Sequence, residues 1–495
     1  MIYNRLLSIE NIGTIVGAVL HLAGTQAPIR TSGNQASRTS RLAVQPVQRL
    51  TRPPVKSRFG FALRSTALAG LGLLALAGCG DNYHPVISAI NPVGPAGQPT
   101  KYAVVISNPG PGLPGLVNFV DFSGDTVLIT ADIGVNPQYL ILGASGTQGY
   151  TINGDGTISS FAISTALLSS AVDSTTLLPN TNPSSIFPEG TFTYITQPGD
   201  GSLVPPTVGE FTGVPPSLQQ NISSIGPNPV FIAGIAAAPR VYAISTGSPA
   251  GSTCSGGSVG AIETTTNSVS STLCAGTDPI YGVMTADTRR AFIINHGSNN
   301  VTVINSQQNT LDAGVASGII ADPSAVAPVW ADFAPTLNEL VVANQGTGTS
   351  KGSVSIFSIP LCNAAALATN PNCNLNDPVD AVGFGNLVAS IPVGVNPTMV
   401  AVMQDGSQAF VINQADSTVS AINLTTDTVI ATIPVPATPN PTFLAVTTGS
   451  PGFPGKVYVT STGSTTMTVI RSDTDTVDTT VPLQGTGVQV RVTLP

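Results

Sequence analysis

The chain has 495 residues, of which only 8% are charged, with 51 glycines, 41 prolines and a formal net charge of −8. Nine of the 17 basic residues fall within residues 1–78 against a single acid, Glu10, which leaves eight basic and 24 acidic residues beyond, a net charge of −16. A body so acidic repels nucleic acid and anionic lipid headgroups, which excludes both as partners of its surface. The glycine, proline and regularly alternating apolar residues describe a turn-rich all-β protein with material for a sizeable core, not a disordered chain.

Residues 1–78 read as a targeting region. Residues 56–64 form a basic n-region, residues 65–77 an apolar h-region too short to span a bilayer, and Gly78 completes a small-residue cleavage site. The sequence Leu76-Ala77-Gly78-Cys79 resembles the bacterial lipobox. That resemblance implies cleavage before Cys79 and lipid on its thiol, with enough acyl chains for stable anchoring. The competing reading is an unlipidated cysteine behind an ordinary signal. Residues 1–54 exceed what a signal peptide carries, and the expectation is that they are not translated, synthesis beginning near Val55 from a non-ATG codon. Residues 79–101, rich in Gly, Pro and Asn, read as a flexible tether.

The rest of the chain is organised by a repeat seen most clearly in residues 396–435. Four apolar runs, at 399–403, 408–413, 418–423 and 428–434, are separated by turn residues that include Gln404-Asp405-Gly406 and Thr425-Thr426-Asp427. They predict a four-stranded antiparallel meander, which cannot bury both faces alone and must stack against copies of itself. Calling the strands of each unit a to d, a strands are expected at 137–143, 183–188, 229–235, 279–285, 328–334, 397–403, 441–447 and 488–494. The chain opens on a b strand at 102–108 and closes on an a strand. Its ends are therefore complementary, and residues 488–494 are expected to complete a sheet with 102–106, 116–122 and 126–132. Closing a ring in this way removes the free sheet edges that invite aggregation. Residues 102–495, less about twenty for an insertion, divide into eight units of about 47. The second and third units carry Pro188, Pro205, Pro206, Pro215 and Pro216 in or near strand positions, so seven units is the alternative.

These units resemble the bacterial YVTN family of β-propeller repeats. The matching residues are Phe410-Val411-Ile412-Asn413 with Val419–Asn423, Tyr150-Thr151-Ile152-Asn153, Phe292-Ile293-Ile294-Asn295 with Val301–Asn305, and Tyr458-Val459-Thr460 with Thr468-Val469-Ile470. The resemblance implies a single β-propeller over residues 102–495, each unit a blade. It implies nothing specific about activity, because propellers host unrelated functions.

Four cysteines follow Cys79. In an exported protein an even set at short separation favours disulfides. Cys254 and Cys274 fall at the same end of a predicted c–d hairpin, and Cys362 and Cys373 flank an insertion at 361–381 in the sixth blade, so the expected pairs are Cys254–Cys274 and Cys362–Cys373. The three histidines, His21, His84 and His296, form no ligand pattern, and His296 reads as a surface loop residue. Asp473, Asp475 and Asp478 are spaced suggestively for calcium but fall in a hairpin turn. Nothing resembles a phosphate loop, a nucleophile elbow or a haem attachment site.

The reading that follows is a monomeric, lipid-anchored propeller of the bacterial cell envelope, facing the periplasm or the exterior. It acts as a non-catalytic binding or scaffold protein for a protein or glycan, with no cofactor, no metal and no nucleic acid. The alternative is a periplasmic, lactonase-like enzyme with a channel-centred site using Asp332 and Arg491.

Overall fold

The computed structural model describes residues 101–360, 382–449 and 454–493. The leader, Cys79, the tether and the expected Cys362–Cys373 pair lie outside the described residues.

Eight antiparallel sheets, each built as a meander, form an eight-bladed propeller. The seventh blade shows the pattern: a Pro397–Val402, b Gln408–Asn413, c Thr418–Asn423 and d Thr428–Pro434, each strand pairing with the next. The b strand is buried along almost its whole length, and Phe410, Val411 and Ile412 are fully buried. The d strand instead alternates exposed and half-buried residues. The difference follows from position: a b strand is covered on both faces by neighbouring blades and reads as a continuous apolar run, whereas the outermost strand meets water. Truncating Phe410 to alanine would therefore cost about 3–5 kcal/mol.

Blades two and three are genuine four-stranded sheets, which settles the count at eight. Their prolines do not interrupt pairing, because Pro205 and Pro206 precede the c strand Thr207–Thr212 and Pro215 and Pro216 occupy the c–d turn. The a strand of blade three is shorter than expected, Ile186–Pro188. Ahead of it, Ser184 and Ser185 bond the backbone and hydroxyl of Thr196 individually. In blade five the outer strand is split into Thr310–Leu311 and Ile319–Ile320 around a short 3-10 turn, both pieces pairing with the c strand Asn300–Asn305.

The ring closes through its chain ends. The strand Thr486–Val492 pairs with Tyr102–Asn108, completing a sheet with Pro114–Asp121 and Val127–Val135. Val490 lies opposite Val105 and Val492 opposite Ala103, with a bulge between Ile106 and Ser107. The strand begins two residues before the expected 488, because pairing continues through Gly487 and Thr486 past that bulge.

Two recurring side-chain devices tie the blades together. The asparagine that ends several b strands is buried and bonds hydroxyls on the c strand: Asn413 Nδ2 donates to Thr418 and Ser420 at 3.0 and 2.9 Å, and Asn295 Nδ2 to Thr302 at 2.8 Å. The Oδ1 of each accepts from a backbone N–H of the preceding blade's exit, Gly394 for Asn413 and Gly276 for Asn295, both at 3.0 Å. A Cβ at Gly394 would sit 2.6 Å from Asn413 Cγ, so glycine is required there by close approach. The second device joins a b strand to the next blade's c–d turn. Lys456 Nζ contacts Asp125 Oδ2 at 2.5 Å, Tyr194 donates to Asn267 at 2.6 Å, and Gln408 donates to Asp475 at 3.5 Å.

The disulfide Cys254–Cys274 is formed, with Cα atoms 5.0 Å apart. It joins the approach to strand Ser258–Glu263 to the last residue of Ser268–Cys274, at one end of the hairpin, as expected.

Candidate functional site

The innermost strands enter through a repeated local signal, a residue of positive φ followed by proline. Asn136, Asn228, Asp278, Ala327 and Asn396 have φ between 51° and 57° and precede Pro137, Pro229, Pro279, Pro328 and Pro397. Asparagine and aspartate tolerate this conformation better than most residues, and proline needs no N–H partner at a strand start. Each of these strands then bulges between the proline and the residue two places on. A bulge re-aims a side chain. The re-aimed residues are Tyr139, Phe231, Tyr281, Trp330 and Met399, and Phe443 holds the matching place after Pro441.

Four of these rings touch in series, Trp330 reaching past blade seven to Phe443 of blade eight. Phe231 and Tyr281 have ring centroids 4.6 Å apart, Tyr281 stacks on Trp330 at 4.0 Å and 19°, and Trp330 meets Phe443 edge-on at 5.9 Å and 87°. Together they make an aromatic belt on the channel side of blades four to eight. Above it a cavity of about 640 Å³ extends to the a–b turns, where Ala286, Asp287, Pro335 and Gln404 join its lining. Most of its wall is apolar, with Trp330, Tyr281, Met399, Phe333 and Leu444 prominent.

Four charged groups line the wall: Asp287 in an a–b turn, Glu339 at the start of a b strand, and Asp332 and Arg491 on two a strands. An innermost strand leaves the N–H and C=O groups of its inner edge without a ladder partner, and side chains from a neighbouring blade take their place. Asp332, from Pro328–Ala334, accepts from the N–H of Val402 in blade seven and from Phe333, both at 2.8 Å. Gln489 and Arg491, on the closing strand, serve Leu140 of blade two: Gln489 Oε1 accepts from its N–H at 2.9 Å, and Arg491 Nε donates to its C=O at 3.2 Å. The Arg491 guanidinium also lies 4.6 Å over the ring of Phe443.

Asp332 is half-buried, enclosed by the ring yet within reach of solvent in the cavity. Its desolvation pushes the carboxyl up to about 6, opposed by the two backbone N–H groups and by Arg491. Desolvation also pushes the Tyr281 phenol up, with Asp332 adding to the rise and Arg491 opposing it. Asp332, Tyr281 and Arg491 thus feel one another across the channel.

The structure therefore brings Asp332 and Arg491 into one cavity, the pair that the sequence offered for a channel-centred site in the lactonase-like alternative. His296 lies in a b–c loop, half-exposed, with Nδ1 3.3 Å from Asp278 and Nε2 3.3 Å from Gln345. Asp473 pairs with Arg471 at 2.7 Å and Asp475 faces Gln408, as befits a hairpin turn. Among the described residues no three His, Cys, Asp or Glu side chains gather as a group able to hold a metal ion. The aromatic belt escaped sequence reasoning, although the recurring Asn/Asp-Pro-x-aromatic pattern at residues 136–139, 228–231, 278–281 and 440–443 marks it.

The sequence matches no protein-family model and no curated protein. Among solved structures, the fold is similar to that of apo AztD from Citrobacter koseri, at 10% identity and a TM-score of 0.52, covering 79% of this chain and 97% of that one. It is also similar to the dihydro-heme d1 dehydrogenase NirN in complex with DHE, at 11% identity and a TM-score of 0.53, covering 81% and 77%. At these identities the likeness is one of fold.

Proposed function

We propose that the protein is an exported binding propeller, held to the bacterial envelope by lipid on Cys79, that takes a small molecule into its channel without transforming it. The observation that carries this reading is the cavity itself. At about 640 Å³ it has the size of a small-molecule site, and its mainly apolar walls with a few placed polar groups match the usual make-up of one. The acidic, cation-poor body and the tether at residues 79–101 suit a soluble head standing off a membrane.

Trp330 is the single tryptophan of the chain and lies in the cavity wall, so its emission reports on the channel alone. Titration of the detergent-solubilised full chain with 3-phenylpropan-1-ol should shift that emission saturably. A flat response to this and comparable apolar alcohols would overturn the reading.

A second reading, a lactonase-like enzyme, is favoured by one observation: a carboxyl raised to about 6 beside an arginine in a cavity. Perturbed carboxyls of this kind serve general acid and base roles. Both oxygens of Asp332 are, however, engaged by backbone N–H groups of its own and the adjoining blade, which makes it first a cap on a strand edge. Lactone hydrolysis by the full chain that disappears in Asp332→Asn would reverse the order of the two readings.

A further inference from the structure

Resting on the channel as a binding site, we infer that its ligand is an organic anion, a carboxylate on a flat apolar body, with the carboxylate on Arg491 and the body along Tyr281 and Trp330. Arg491 is half-buried in a mainly apolar wall. Only its Nε is hydrogen-bonded, to Leu140. Among the described residues Nη1 and Nη2 have no hydrogen-bond or ion-pair partner, and one face of the guanidinium is covered by Phe443. Two donors in one plane without a protein partner are met together by a carboxylate.

Asp332 does not fill that role. It forms no ion pair with Arg491, and each of its oxygens is taken by a backbone N–H. The remainder of the wall favours a flat body. Tyr281 and Trp330 are stacked nearly parallel, and Phe231 and Phe443 extend the surface on either side. An aromatic surface also suits a cation, but the cation position over Phe443 is already held by Arg491. Asp287, Asp332 and Glu339 also line the cavity, and Arg491 is the one cationic side chain among its lining residues, the group that a carboxylate would meet.

Three ligands of one shape separate the possibilities: 3-phenylpropanoate, 3-phenylpropan-1-ol and 3-phenylpropylammonium, each titrated into the detergent-solubilised full chain with Trp330 emission as readout. The carboxylate should bind about tenfold more tightly than the alcohol, the scale of a charge-assisted pair, and the ammonium more weakly than either. In Arg491→Gln the preference for carboxylate over alcohol should vanish, and in Arg491→Lys it should fall only part-way. The wild-type comparison decides the matter even where a change in the closing strand weakens folding. Equal binding of carboxylate and alcohol, or tighter binding of the ammonium, would overturn the inference and leave the channel reading standing. No binding of any of the three would overturn both.

Discussion

One junction of the ring is built differently from its equivalents. Glu339 opens the b strand Glu339–Asn344 of blade six and faces the c–d turn of blade seven at Asp427, where corresponding junctions use Lys456 with Asp125 and Gln408 with Asp475. Asp427 has the same positive φ as Asp125 and Asp475, 53° against 49° and 51°, so the three turns are alike and only the partner differs. Glu339 Oε2 and Asp427 Oδ1 are both buried and lack a hydrogen-bond partner. Burial, and then the charge of Asp427, push Glu339 up to about 7 from an ordinary value of 4.5.

Because the folded value lies above the unfolded one, the native state holds a proton that the unfolded chain releases. The associated stability is fully present below about pH 4.5 and is lost as pH rises through 7. The full shift corresponds to about 3 kcal/mol, and solvent screening at this partly exposed group reduces it to about 1 kcal/mol. Glu339→Gln removes the charge, so its melting temperature should exceed that of the wild type by about 2 °C at pH 8. At pH 4.5 the two should nearly coincide. Glu339→Lys should gain more at pH 8 by reproducing the Lys456–Asp125 arrangement. Thermal melts of the three proteins at both pH values, followed by circular dichroism, provide the test. A difference between wild type and Glu339→Gln that is the same at both pH values would refute the reasoning.

Other expectations follow from ring and envelope. Truncation after Gly485 removes the innermost strand of the first blade and exposes Tyr102–Asn108 as an edge, so the protein should aggregate or melt far below the full chain; a truncated protein that melted normally would place closure elsewhere. Reduction of Cys254–Cys274, which spans a sequence separation of 20, should lower stability by about 2–3 kcal/mol, read as a shift in denaturant midpoint against Cys254→Ser. Palmitate should label the wild type and not Cys79→Ser, and equal labelling would remove the anchor.

The blade repeat was legible because its b and c strands are nearly continuous apolar runs with fixed turn residues, a pattern that burial between two neighbours enforces. The closing pair was legible too, since a chain that begins on a b strand and ends on an a strand has one economical way to finish. The start of each a strand was harder to read. Its bulge after proline changes the alternation phase, so the face occupied by Trp330 or Tyr281 does not follow from counting in twos. The channel was harder still, because each blade contributes one or two residues to it and they meet only in space. Asp332 and Arg491 lie 159 positions apart in the chain, and neither belongs to a local motif. The same holds for Lys456 and Asp125, and for Glu339 and Asp427, whose pairing depends on which blade is next in the ring.

The most direct measurement is the position of a bound ligand. A crystal structure of the protein with 3-phenylpropanoate should show the ring against Tyr281 and Trp330 and the carboxylate at Nη1 and Nη2 of Arg491. An empty channel with the ligand held on the outer loops would contradict the account.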